Sequence, residues 1–309
     1  MSPAVTVIVP GFDVAPYAAE AIDSLRDQTR VDWTAVLVDD GSTDETGAIF
    51  DAAEAIDSRL HVVHHRERSG LGAARNTGLA LVRTPFVGFL DADDVMMPDA
   101  LDRLVGTLER TGSDLVAGAY VRLRPDGAGG YAPGPVQPWV AAATDPARDG
   151  TSLAAHPEAS GNIVAWSKIT RADMWRDLRF PVDRAYEDQI VAQLLYTRAR
   201  AFDVIPDVVV RWRERADGTS ITQRTRALPV LRDYLDALAA GIDVLDAAGQ
   251  PAAVAARVDL ILAMDLPPLV RVADSHPDPA YRGELAAFAR RLATRTTGVP
   301  DELARVLTW

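Results

Sequence analysis

Short apolar runs that stop at acidic residues, with amphipathic stretches between them, constrain this chain more than any other feature. Val5–Val9 is almost continuously apolar, as a strand covered on both faces would be. Ala18, Ala21, Ile22 and Leu25 then share one helical face. Ala35–Val38 is a second strand, ending at Asp39-Asp40-Gly41. Ser42 and Glu45 follow in capping-box spacing, for a helix through Ile49 and Ile56. Leu60–Val63 reads as a third strand and Leu71–Val82 as a helix of small residues. Phe86–Leu90 is a fourth strand, Pro98 sits as a first helical residue, and Asp114–Ala119 is a fifth strand. This alternation predicts an α/β fold, a mostly parallel Rossmann-like sheet flanked by helices. Ligands of such sheets bind beyond the carboxyl ends of the strands, where Asp39, Asp40, Asp91 and Asp93 all fall.

Phe86-Val87-Gly88-Phe89-Leu90 ends abruptly in Asp91-Ala92-Asp93-Asp94. In extended backbone Asp91 and Asp93 point one way and Ala92 the other, with the two aspartate Cα atoms about 7 Å apart. Two hard oxygen donors can hold Mg²⁺ or Mn²⁺ and leave coordination positions for a diphosphate. A lone Asp-x-Asp is more often a solvated turn, and the series of similar strand ends lifts this one above that reading.

Composition excludes several classes. The 309 residues carry a formal charge of −12, which repels nucleic acid, and no basic aromatic-rich patch opposes it. No apolar run reaches the roughly 20 residues that span a bilayer, so no transmembrane segment is expected. Met1-Ser2-Pro3-Ala4 does not resemble a leader, and the absence of cysteine excludes disulfide and thiolate chemistry. Cytoplasm is the expected compartment. Arg290, Arg291 and Arg295 form a face that could lean on the inner membrane surface, although a solvated helix face is the plainer reading.

From Pro125 to Gly161 the pattern dissolves into Pro- and Gly-rich sequence, where some short structure or a lid is expected. Asn162–Arg171 reads as a strand entering a helix. Tyr186–Arg198 is a helix with Ile190, Val191, Leu194 and Leu195 buried, and Val204–Trp212 is a strand. Leu228–Leu245, Ala252–Met264 and Tyr281–Thr296 are Ala/Leu/Arg helices broken by Gly249, Pro267, Pro268, Pro277 and Pro279. The expected division is 1–122 and 123–224, two halves of one α/β domain, and 225–309, a helical appendage that could also support self-association.

Several motifs recur in order: Pro10-Gly11-Phe12-Asp13, Val38-Asp39-Asp40-Gly41-Ser42, Ser69-Gly70-Leu71-Gly72-Ala73-Ala74-Arg75-Asn76, Asp91-Ala92-Asp93, Trp166-Ser167-Lys168, Tyr186-Glu187-Asp188, and Arg213 followed by Ser220. Over Val5 to Thr222 this series resembles the family-2 glycosyltransferases of GT-A fold. The resemblance implies an inverting, metal-dependent enzyme of hexosyltransferase type. It would move a sugar from a nucleotide-diphosphate sugar, a UDP-sugar foremost, to a hydroxyl on a glycan, polymer, lipid or natural product. Such chemistry serves bacterial cell-surface glycans or natural-product glycosylation.

On that resemblance Pro10, Phe12, Asp39, Arg75, Asp91, Ala92, Trp166, Lys168, Arg213 and Ser220 line the nucleotide sugar, with Phe12 stacking on the base. Asp93 and Asp91 hold Mn²⁺ or Mg²⁺, Asp188 is the base, and Glu187 orients it. The chain departs from the family at Phe12-Asp13, where Tyr followed by Asn is frequent, at Arg68, where asparagine is usual, and at Gly218-Thr219, where some relatives place a histidine metal ligand; Asp217 or water is the substitute. The plainer roles are core packing for Phe12, helix capping for Asp39 and the Glu187-Asp188 pair, and a surface ion pair for Lys168. Rival readings are a sugar nucleotidyltransferase, whose Gly-rich basic loop is missing from Pro10–Pro16, and a non-catalytic nucleotide-sugar-binding protein.

Overall fold

The computed structural model describes residues 2–182, 184–216, 226–296 and 298–309. β1 (Val5–Gly11) is buried along its whole length, because it lies between two parallel partners and so needs no polar face. α1 (Ala15–Arg26) turns Ala18, Ala21, Ile22 and Leu25 inward, as the periodicity predicts. There follow β2 (Trp33–Asp39), α2 (Thr46–Ile56), β3 (Leu60–His64), α3 (Leu71–Leu81), β4 (Phe86–Phe89), β5 (Val95–Met96), α4 (Ala100–Thr111) and β6 (Leu115–Pro125). The Pro- and Gly-rich stretch holds short structure: β7 (Tyr131–Val136), α5 (Pro138–Thr144), β8 (Arg148–Thr151) and a 3₁₀ turn at Pro157–Gly161. Then come β9 (Lys168–Arg171), α6 (Asp188–Arg198) and β10 (Phe202–Arg213).

The sheet runs β3-β2-β1-β4-β9-β6-β10-β5, with β7 on β6 and β8 on β10. β3, β2, β1 and β4 are parallel, so their carboxyl ends share one edge. β9 runs antiparallel to both β4 and β6 and starts, at Lys168, beside the carboxyl end of β4. That inversion carries residues from the middle of the chain into the crevice opened by the first four strands.

Among the described residues, five α-helices close the chain: α7 (Leu228–Ala247), α8 (Pro251–Leu260), α9 (Leu266–Asp274), α10 (Pro279–Ala293) and α11 (Asp301–Ala304). Their buried faces join the sheet's apolar layer in one continuous core, from Val5 through Leu195 to Leu231 and Val306. Arg290 bonds the Trp309 carbonyl, Arg291 pairs with Asp243 and Arg295 with Asp246, so this basic face is tied within the molecule. No helix among the described residues is long and apolar enough to cross a membrane.

The structure corrects several sequence readings. Ser42 and Glu45 do not form a capping box. Asp44 accepts from the Thr46 and Ala15 amides, so one carboxylate serves the starts of two helices. Ser42 instead takes the Asp13 amide, and Ile56 is exposed. Pro98 precedes α4, its carbonyl accepting from Thr29. Only Lys168–Arg171 of the Asn162 segment is strand, followed by a short 3₁₀ turn rather than a helix. α6 buries Gln189, Ala192, Gln193 and Tyr196 besides Val191 and Leu195, while Ile190 and Leu194 are only partly covered, because other elements pack on several of its sides. Pro267 and Pro268 do not break the path: they open α9 directly after a π-helical turn at Ile261–Asp265 that continues α8. A proline in the first turn removes amides that would be unpaired there anyway.

Candidate active site

At the β1 and β2 ends, two neighbouring aspartates have separate tasks. Asp39 accepts the Ser42 amide at 3.0 Å and lies 2.9 Å from His64 Nδ1, while His64 Nε2 lies 2.9 Å from Asp51. Burial pulls the Asp39 carboxyl up, but the bonds from Ser42 and His64 outweigh it and leave it below the usual range. The same bonds, to Asp39 and Asp51, hold the His64 imidazole above its usual value. Asp40 accepts the Ser69 and Gly70 amides at 2.9 and 2.8 Å and meets His65 at 2.7 Å, which pins the loop entering α3. Phe12 is half-buried under the Arg68 guanidinium, 4.3 Å from its ring centroid. A base stacking on Phe12 must use the other ring face or displace Arg68.

Arg75 joins the two halves of the chain. It is 1% exposed, donates Nη2 to Asp91 at 2.7 Å and Nη1 to Glu187, and lies over the Phe180 ring. α3 can deliver it because two glycines let the helix sink. A Cβ on Gly78 would stand 2.4 Å from Ile8, and one on Gly72 only 2.0 Å from the Pro181 carbonyl oxygen. Asn76 completes the seam by bonding the Phe180 carbonyl and amide. Burial pulls the Arg75 guanidinium's pKa down, but Asp91, Glu187 and Asp188 outweigh it and hold the charge firmly.

The carboxylates outnumber that one cation. Burial pushes Glu187 up to about 7, opposed by Arg75 and reinforced by Asp188. Asp188, the first residue of α6, is also raised by burial; Arg75 and then Lys168 oppose the rise, and Asp91 adds to it. The positive end of the α6 dipole favours ionised carboxylates here, and desolvation with like-charge crowding outweighs it. Tyr186, just before them, has φ +62°. Left-handed backbone costs a non-glycine residue about 1–2 kcal/mol.

Ala92 is buried, and its amide bonds the Pro10 carbonyl at 3.1 Å, so both contribute backbone that fixes the acidic loop to β1. Asp93 Oδ2 accepts Arg215 Nε at 2.7 Å, and its carbonyl accepts Arg213 Nε at 2.7 Å. Asp94 takes the Arg213 amide on Oδ1, while its Oδ2 is buried without a partner among the described residues. Burial, opposed by Arg215 and reinforced by Asp91, raises Asp93; burial with Asp93 and Asp91 raises Asp94 well above normal. Crowded hard oxygens with one buried lone oxygen fit a divalent cation chemically. No group of three possible ligands is assembled among the described residues. The carboxylates present could supply only part of such an ion's oxygen shell.

Lys168 is buried rather than in a surface ion pair. It donates to Asn162 Oδ1 at 2.8 Å and the Val164 carbonyl at 2.6 Å, and lines a small apolar cavity with Asp188, Trp175 and Phe180. Burial lowers its pKa to about 7, with Asp188 pulling it back up. Trp166 is buried edge-to-face against Tyr120. Arg213 is 2% exposed, bonded to Glu20 and lying over the Tyr131 and Tyr17 rings, so it braces three elements. Ser220, with Asp217, Gly218 and Thr222, lies outside the described residues. Sequence reasoning missed His64, His65, Arg215 and Asn76. The usable signal for the histidines was register: in the parallel β2–β3 pair, Asp39 stands opposite His64.

Residues 6–134 match the family model for glycosyl transferase family 2. These residues, less than half of the chain, are similar to that family. A relative in Bacillus subtilis (strain 168), the uncharacterized glycosyltransferase EpsJ, is 36% identical over 126 residues, which are 41% of this chain and 36% of EpsJ. The match thus spans little more than a third of that relative's length. Among solved structures, residues 1–349 of S. aureus TarS, in complex with UDP-GlcNAc, align with TM-score 0.75 and 19% identity over 96% of this chain and 84% of that one. Mannosyltransferase PcManGT from Pyrobaculum calidifontis, in complex with GDP-Man and Mn²⁺, aligns with TM-score 0.54 and 20% identity over 96% and 86%. The chain has the GT-A fold, a mixed α/β sheet with flanking helices, and C-terminal helices follow it.

Proposed function

We propose that this protein is an inverting, metal-dependent family-2 glycosyltransferase that moves a sugar from a UDP-sugar to an acceptor hydroxyl. The observation that carries the reading is Arg75, which bonds Asp91 of the acidic loop and Glu187 of the proposed base motif at once. One buried cation thereby sets the donor-binding and proton-accepting groups at a fixed separation. Asp39, kept ionised by Ser42 and His64, can accept the imide N–H of uracil, and Phe12 offers a ring face to the base. The UDP-GlcNAc held by TarS supports the uridine nucleotide, and the Mn²⁺ of PcManGT supports the metal.

Asp93 and Asp91 would hold the divalent ion, which when bound supplies neutralising charge for the departing diphosphate. Asp188 accepts the proton of the attacking acceptor hydroxyl, Glu187 fixes its orientation through Arg75, and Lys168 favours its ionised form. A single displacement inverts the anomeric configuration. The test is a panel of nucleotide sugars screened for Mn²⁺-dependent thermal stabilisation, followed by transfer or hydrolysis assays on the hits. A UDP-sugar should stabilise most, and Asp93→Asn should weaken the effect. Asp188→Asn should abolish turnover while sparing donor binding, and normal turnover in that variant would remove Asp188 from the mechanism. Donor binding with no turnover by the unmodified chain would leave a nucleotide-sugar-binding protein instead.

A further inference from the structure

We propose that the C-terminal helices act as a clamp that positions the Asp188 carboxylate, with Tyr234 holding Tyr186 in its left-handed conformation. This rests on the reading of Asp188 as the base. Both residues that flank the Glu187-Asp188 pair are tied to those helices. On one side, the Tyr186 ring lies 4.3 Å, centroid to centroid, from Tyr234 of α7. On the other, Gln189 Oε1 accepts Arg257 Nη2 of α8 at 3.0 Å, with both side chains buried. The two ties meet at Asp265, the last residue of the π-helical turn. Its Oδ1 accepts the Tyr234 hydroxyl at 2.8 Å, and its Oδ2 lies 3.4 Å from Arg257 Nη2.

The result is a closed circuit, Tyr186–Tyr234–Asp265–Arg257–Gln189, spanning the base motif. Ordinary core packing asks for no residue at φ +62°. Strained backbone persists only where its surroundings over-determine it, and here the surroundings are the C-terminal helices. The sheet and α3 fix Glu187 through Arg75; the helices fix the backbone on which Asp188 stands.

The test is a double-mutant cycle in the full chain, measured with saturating UDP-sugar and Mn²⁺. Tyr234→Ala should lower kcat about tenfold or more, because a small displacement of a catalytic group has that scale of effect, and leave donor KM within about twofold. Glycine adopts φ +62° without strain, so in a Tyr186→Gly background the same Tyr234→Ala change should cost less than about twofold. Tyr234→Phe keeps the ring and cuts the tie to Asp265. It should lower kcat about threefold with Tyr186 present and not in Tyr186→Gly, which keeps the test open if the alanine variant fails to fold. Equal losses in both backgrounds, or loss through donor KM alone, would overturn the clamp. Asp188→Asn, run in parallel, separates the two failures. If it abolishes turnover while the cycle is additive, the clamp is wrong and the base reading stands; wild-type turnover would sink the base reading and, with it, a clamp built to serve Asp188.

Discussion

Arg75 sits 112 residues from Glu187 in sequence and bonds it in a setting from which water is excluded. Arg75→Met would leave a buried acid without its cation, and breaking such a pair typically costs about 3–5 kcal/mol. Urea unfolding should show that loss, and Arg75→Lys should not restore it, because one ammonium does not span two carboxylates as a guanidinium does. Lys168 makes a second prediction, through pH. Its charge favours ionised Asp188, so Lys168→Met should raise the Asp188 pKa further above the usual carboxylate value. If Asp188 is the base proposed above it must be ionised to accept a proton, so the acid limb of the kcat profile should move to higher pH; an unmoved limb would show that Lys168 has no electrostatic link to catalysis. Residue identities such as Asp39, Asp91, Asp93 and the Glu187-Asp188 pair stood out in the sequence because carboxylates at strand and helix ends follow a local rule. The tasks of Lys168 and Arg213 did not, since a buried bond to Val164 or to the Asp93 carbonyl leaves no trace in spacing.

At the scale of the element, α3 is the piece whose fit matters most, and its small residues were visible as Gly72, Ala73, Ala74 and Gly78. What they approach was not. Gly72 meets the Pro181 carbonyl, contributed by a segment more than a hundred residues later. Gly72→Ala must push that carbonyl away, and overpacking of this kind typically costs about 1–3 kcal/mol. Because Pro181 leads into the turn that carries Glu187, the variant should lose turnover along with stability, read as a lower melting temperature and a lower kcat. Full activity in Gly72→Ala would show that the segment after Phe180 is free to shift. The first four strands were legible for a plain reason: buried parallel strands are continuous in apolar residues. β9 was blurred because four residues of antiparallel strand, inserted between β4 and β6, are too few to show a period. The helix starts were misread at α2 because Asp44 caps from a neighbouring turn, a contact set by the approach of α1.

At the scale of the whole molecule, the sequence suggested a helical appendage after about residue 225, and composition alone cannot say whether such a segment shares a core. Here it does. Leu231, Leu235 and Leu238 of α7 and Val258 of α8 belong to the same buried cluster as Val191 and Leu195 of α6 and the strands beneath them. Polar ties run the same way: Gln193 donates to the Ser160 carbonyl, and Ser160 donates in turn toward the Ala253 carbonyl of α8. Buried side chains on both sides of the α6–α7 contact would be exposed if the helices separated. Exposing a single leucine-sized side chain costs about 1.5–3 kcal/mol, and several are involved, which is comparable to the net stability of a typical domain. The helices and the sheet should therefore unfold together. Calorimetry of the full chain should give one transition whose calorimetric and van't Hoff enthalpies agree. Two resolved transitions would mean that the segment from 226 onward unfolds apart from the sheet, which the shared core does not allow.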